Sequence, residues 1–167
     1  NIASVSNGIV NALNVGTATI TATVGTETAT YTIIVKESLS LQKIITEKVY
    51  KIENELVYGF TLGESIEDLR NKFGSNINID TSNTIVGTGV QFSYNNESYT
   101  AVVYGDITGD GLINSADLLK IRQHLLGTTT LTGAFRQSAA IANRSTINSA
   151  DLLRLRQHLL GTNKIIQ

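Results

Sequence analysis

Apolar and polar positions alternate strictly near the start of the chain. In TATITATV, Ala18, Ile20, Ala22 and Val24 fall on one side and Thr17, Thr19, Thr21 and Thr23 on the other. Ala29, Tyr31, Ile33 and Val35 repeat the pattern after Gly25-Thr26-Glu27, which reads as a turn. Period-two alternation with β-branched residues predicts half-buried strands of an antiparallel sheet. The rhythm changes after residue 39. VYKIENELVYGF predicts a hairpin turning at Glu53–Glu55, and GVQFSYNNESYTAVVYGD predicts a second one turning at NNES. Between them TLGESIEDLRNKFG predicts a short helix. Thr61 and Glu64 are spaced as a capping box, acids crowd the first turn, and Gly74 can end it. Glu64, Glu67 and Asp68 read as dipole and solvation residues of that helix rather than as a reactive cluster. Nothing in this stretch pairs a nucleophile with a base.

The last third of the chain carries a helical rhythm, written twice. Leu118, Ile121 and Leu125 recur as Leu152, Leu155 and Leu159, an i, i+3, i+7 stripe that predicts two helices packed on each other. Asn114-Ser115-Ala116-Asp117 recurs 34 residues later as Asn148-Ser149-Ala150-Asp151, and Gly127 and Gly161 stop both helices. A tetratricopeptide array is excluded, because two copies are too few to stack and its signature residues are absent. His124 and His158 also match, but no further ligands accompany them, so they read as packing or exposed histidines and not as a zinc site.

The loop ahead of the first copy carries the chemistry. Counted from Asp106 as position 1, it places Thr108 at 3, Asp110 at 5, Gly111 at 6, Leu112 at 7, Asn114 at 9 and Asp117 at 12. This is the spacing of an EF-hand calcium loop. A hard cation wants six or seven oxygens, so alternate residues of a tight loop point inward. Glycine at position 6 permits the bend, and position 7 offers its carbonyl. The carboxylate at position 12, on the first turn of the following helix, can bind through both oxygens. In the second copy, position 1 is Ala140, 3 is Ala142, 5 is Arg144 and 6 is Ser145, so of the side-chain ligands only Asn148 and Asp151 survive. One calcium site is expected, with the second loop degenerate. The cation of Arg144 either reaches Asp151 in place of the missing ion or simply points into water.

Asp in place of Glu at position 12, and the absence of a helix before the loop, are both features of a dockerin. GDITGDGLINSADLLKIRQHLLG resembles a type I dockerin repeat, and the second copy completes the pair. Thr108 departs from the usual Asn or Asp at position 3. The resemblance implies a non-catalytic, calcium-dependent module that binds a cohesin domain of a scaffolding protein. It would attach a secreted enzyme or adhesin to an extracellular, cellulosome-like or cell-surface complex. It further implies that Ser115, Ala116, Arg122 and Gln123 in the first copy, and Ser149, Ala150, Arg156 and Gln157 in the second, set partner choice. Near-identity of the copies implies that a cohesin can dock in two orientations. ASVSNGIVNALNVGTATITATVGTETATYTIIV resembles the C-terminal half of a bacterial immunoglobulin-like domain, and residues 39–104 resemble, in architecture and position, the X-type modules that precede dockerins.

The expected fold class is therefore multidomain: a β-sandwich fragment over 1–36, a small α+β module over 39–104, and an all-α dockerin of paired calcium-loop–helix repeats over 105–167. Composition narrows the partners. A net charge of −1 gives no electrostatic case for nucleic acid or an anionic membrane, and no apolar run is long enough for membrane insertion. The chain has no Cys, which excludes disulfides and thiol chemistry, and no Met, which suggests an interior or C-terminal piece of a longer protein. The competing reading is a calcium-stiffened C-terminal stalk of a carbohydrate-binding adhesin. It calls for exposed aromatics clustered on a sheet, whereas the chain has no Trp and its tyrosines are scattered.

Overall fold

The computed structural model describes residues 1–35, 50–74, 77–79, 81–94 and 96–167. The chain divides into two compact units, Asn1–Ser38 and Leu39–Gln167.

In the first unit, β1 (Ala3–Ser6) pairs antiparallel with β2 (Ile9–Ala12), and β3 (Gly16–Val24) with β4 (Glu27–Val35). The alternation noted in the sequence sets the second register: Ala18 lies opposite Ile33, Ile20 opposite Tyr31 and Ala22 opposite Ala29. Ala18, Ile20, Ile33 and Val35 are half-buried, while Val24 and Tyr31 are exposed.

The second unit is built on a five-stranded sheet of order β5-β6-β9-β8-β7. Its strands are β5 (Lys51–Glu53), β6 (Leu56–Tyr58), β7 (Ile77–Ile79), β8 (Gln91–Tyr94) and β9 (Glu97–Ala101). Both predicted hairpins form. Asn54 and Glu55 take positive φ of 49° and 66°, the two-residue turn whose twist matches the strands it joins. The β6–β9 pair is parallel, and the other pairs are antiparallel. Helix α1 (Ile66–Phe73) covers the sheet, burying Leu69 and Phe73 with Phe60 and Phe92.

The capping box falls elsewhere than the spacing suggested. Ser65 is the N-cap, and its hydroxyl accepts from the Asp68 amide at 2.9 Å. Glu64 is buried instead of solvating the helix start. Lys72 donates to it at 2.8 Å, the Tyr50 hydroxyl donates to it, and so does the Thr61 amide at 2.9 Å. Burial, then Glu64 itself, pushes the Tyr50 phenol up, so it stays protonated and remains a donor.

Three helices follow: α2 (Ser115–Leu125), α3 (Gly133–Ala139) and α4 (Ser149–Leu159). Helix α3 has no counterpart in the sequence reading. Ile121 and Leu155 are fully buried between the two repeats, with Leu118 and Leu152 packed beside them. Leu125 and Leu159 do not join this core, since each is 38% exposed.

The expected fold class is corrected. The described residues form a mixed α/β chain with nine strands and four helices. The ribbons of the first unit are two separate two-stranded sheets. The repeat helices do not form a free-standing all-α body. Ala134 of α3 is buried with Tyr58 and Val102, so the sheet and the helices share apolar contacts within one compact unit.

Candidate functional site

The first loop is held shut by two buried carboxylates. Asp106, at position 1, accepts from the amides of Gly109 at 2.7 Å, Gly111 at 3.0 Å and Thr88 at 2.8 Å. Asp117, at position 12, accepts through Oδ1 from the amides of Ile107 at 2.7 Å and Thr108 at 2.8 Å and from the Thr108 hydroxyl at 3.0 Å. Its Oδ2 accepts from the Asn114 amide at 2.8 Å. Asp110 is exposed, accepts from the Leu112 amide at 2.9 Å, and lies 3.4 Å from the Asn114 side-chain amide. Gly111 takes φ of 79°, so the bend the spacing required of position 6 is made there. Burial, then the charge of Asp117, raises the Asp106 carboxyl to about 6 against the lowering effect of its three amide donors.

The loop thus brings Asp106, Thr108 and Asp117 around the same turn of main chain, with Asp110 and Leu112 on its outer side. As a donor set it offers carboxylate, hydroxyl, amide and main-chain oxygen with no nitrogen or sulfur ligand. That chemistry fits a hard dication such as calcium and not zinc. The carboxylates are engaged by N–H groups, and among the described residues no three acidic or histidine side chains are gathered tightly enough to form a metal cluster.

The second loop repeats half of this construction. Asp151 accepts from the Ala142 amide at 2.7 Å and from the Asn148 amide at 2.8 Å, matching the Asp117 bonds to Thr108 and Asn114. Asn114 and Asn148 each cap their helix, and Asp117 and Asp151 complete the capping boxes. The acid at position 12 is therefore a staple that joins the loop to the helix start, with or without ligands around it. Position 1 is the buried Ala140, which offers no such acceptor.

Arg144 does not reach Asp151. Its guanidinium lies 3.4 Å from the centre of the Tyr104 ring and donates to the Ile166 carbonyl at 2.7 Å. The residue adopts φ of 60°, a conformation that costs a side-chain-bearing residue energy and is held here by those two contacts. The Gln167 side chain pairs with both main-chain groups of Tyr104, at 2.7 and 2.9 Å, and Tyr104 stacks on Tyr58 with ring centres 5.5 Å apart. The loop that lost its acids is a clasp for the C-terminal tail. Arg144→Ala should lower stability by about 1 kcal/mol, since one exposed cation–π contact and one hydrogen bond are lost. A thermal melt unchanged by this substitution would show that the clasp carries no load.

The repeated helices present matched outer faces. Ser115, Ala116 and Arg122 are exposed and Gln123 half-buried, as are Ser149, Ala150, Arg156 and Gln157 in the same order. Leu119 and Leu153 are 55% and 54% exposed, and Leu126 and Leu160 are 76% and 74% exposed. Arg122 and Arg156 flank a cleft of about 470 Å³ floored by Leu118 and Leu152. The histidines turn away from this face. His158 Nδ1 accepts from the Ile165 amide at 3.0 Å, and burial, then Lys164, lowers its basicity, so it serves the fold as a neutral ring. His124 Nδ1 lies 3.3 Å from the Leu131 amide and the same distance from the Thr129 carbonyl.

No curated protein matches the chain. Among solved structures, one similar entity is the third cohesin of ScaC in complex with the ScaB dockerin from Acetivibrio cellulolyticus, carrying a mutation in the N-terminal helix and displaying a type I interaction. The match is 25% identical, covers 39% of this chain and 92% of that one, and has a TM-score of 0.37. No helix among the described residues is long and apolar enough to cross a membrane. Residues 104–160, the two loops and repeated helices described above, match the family model of the dockerin type I domain.

Proposed function

We propose that residues 105–167 are a non-catalytic docking module that binds a cohesin domain through the matched faces of α2 and α4, with calcium held in the first loop. The observation that carries this reading is the dockerin type I match over 104–160, whose two repeats present the same exposed Ser, Ala, Arg and Gln in the same order. Small residues at 115–116 and 149–150 let a flat partner surface approach the helix starts closely. The arginines and glutamines one to two turns on supply hydrogen bonds around that contact. Leu119, Leu126 and their counterparts add apolar area to each face.

Calcium would be held by Asp106, Thr108, Asp110, Leu112, Asn114 and Asp117, and its charge would favour the ionised form of Asp106. Residues 1–36 and 39–104 are read as an immunoglobulin-like piece and an X-type module. The whole is read as part of a secreted or surface-attached protein whose catalytic or adhesive part lies elsewhere. The glycan-binding alternative draws no support from the aromatics: Tyr50, Tyr58, Tyr94 and Tyr99 are buried, and the exposed Tyr31 is the sole aromatic of residues 1–36, so it forms no cluster there.

A pull-down of the full chain against a panel of cohesins, with calcium and with chelator, tests the docking role. Capture by none of them in calcium would remove it. Calorimetric titration with calcium should give a single ion per chain, and two equivalent ions would overturn the reading of the second loop as a metal-free clasp.

A further inference from the structure

The first loop is not self-contained. Its position-1 carboxylate is held in part by main chain from before β8. Thr88, fully inside the fold, donates its amide to Asp106 Oδ2 at 2.8 Å. Its hydroxyl also pairs with both main-chain groups of Val103, donating at 3.1 Å and accepting at 3.1 Å. The Asp106 amide in turn donates to the Val103 carbonyl at 3.1 Å, so Thr88 fixes both the entry to the loop and its first acid. Asp106 Oδ2 accepts two N–H bonds, from Thr88 and Gly111, and is committed to positioning. Oδ1 accepts one, from Gly109, and keeps a lone pair. Beside Thr88 the backbones meet without side chains. A Cβ on Gly87 would lie 2.4 Å from the Gly109 carbonyl oxygen and 2.8 Å from the Gly111 nitrogen, main-chain atoms that cannot swing away. The second loop, with Ala140 at position 1, has no such carboxylate to hold.

We propose that Gly87 and Thr88 are positioning residues of the cation loop: the Thr88 amide aims the Asp106 carboxylate, and the bare approach of Gly87 sets the curvature of Gly109–Gly111. The affinity of the loop for calcium is then set by residues outside the loop. This rests on the reading that the first loop takes calcium, and the test separates the two. The full chain and its Gly87→Ala variant are titrated with calcium chloride by calorimetry. The thermal midpoint of each is measured in calcium and in chelator. Exchange of the Thr88 amide in the wild-type chain is followed by NMR with and without calcium.

The expected result is one ion for both chains, at least tenfold weaker in Gly87→Ala. The rise in midpoint on adding calcium should be smaller for the variant, and calcium should slow Thr88 exchange at least tenfold in the wild type. A purely structural role for Gly87 would lower both midpoints equally and leave the calcium increment unchanged, which overturns the proposal. So does a variant that binds calcium within threefold of wild type. A wild-type chain that takes up no calcium removes the loop reading itself, and the proposal with it. Should Gly87→Ala fail to fold, the wild-type exchange decides: slowing by calcium supports the coupling, and an unchanged rate overturns it.

Discussion

Placing charge on both helix faces at once should abolish cohesin binding. With Ala116→Glu and Ala150→Glu combined, affinity is expected to fall at least a hundredfold, about 2.7 kcal/mol. A carboxylate forced into the centre of a contact is desolvated without a partner. Either substitution alone should cost less than about tenfold. The two faces carry the same residues at nearly equal exposure, so the molecule can turn and present the other copy. The loops behind the faces differ, one holding the buried carboxylate of Asp106 at position 1 and one with Ala140 there and Arg144 clasped on the tail. One orientation is therefore expected to be modestly favoured. Surface plasmon resonance on the two single variants and the double reads this directly. If one single variant abolishes binding and the other leaves it untouched, only one copy is the recognition surface.

Removing the staple of the second loop should cost a large share of stability even though no metal is expected there. Asp151 is fully buried and accepts two loop amides that have no other acceptor given to them. Asp151→Ala leaves both N–H groups without a partner and removes half of a capping box. The expected loss is about 3 kcal/mol, or roughly 10 °C in thermal midpoint. Asp151→Asn retains one acceptor oxygen and should lose about half as much. Because no calcium is expected there, the loss should be the same in calcium and in chelator. Asp117→Ala, by contrast, should lose more in calcium than in chelator. Equal losses for Asp117→Ala under both conditions would assign Asp117 to the fold alone.

Much of the fold was legible where short-range pattern dominates. Threonine alternation set the β3–β4 register, and Asn54-Glu55 turned its hairpin. The repeat itself marked both helices and the glycines, Gly127 and Gly161, that follow their ends, while the Asn and Asp caps at their starts were read only as loop ligands. What the pattern could not reveal depends on partners distant in sequence. Glu64 looked like a helix-start acid, but Tyr50 and Lys72 draw it inward. Leu125 and Leu159 kept helical spacing but sit past the end of the packed seam. Arg144 was read as pairing with the acid nearest in its loop or as pointing into water. That acid already holds two amides, and the ring of Tyr104 and the tail carbonyl of Ile166 lie closer to hand. The Thr88–Asp106 bond joins residues 18 apart whose sequences carry no mark of each other. The one hint was the glycine pairing, GTG at 87–89 with GDG at 109–111, since backbones that meet without side chains need it on both sides.

The most direct measurement is the affinity of the full chain for a cohesin, determined by calorimetry in calcium and again in chelator. The account predicts a one-to-one complex in calcium that weakens when calcium is removed, by less than about tenfold, because the first copy then loses its cation while the metal-free second copy can still present α4. Equal affinity under both conditions would contradict it.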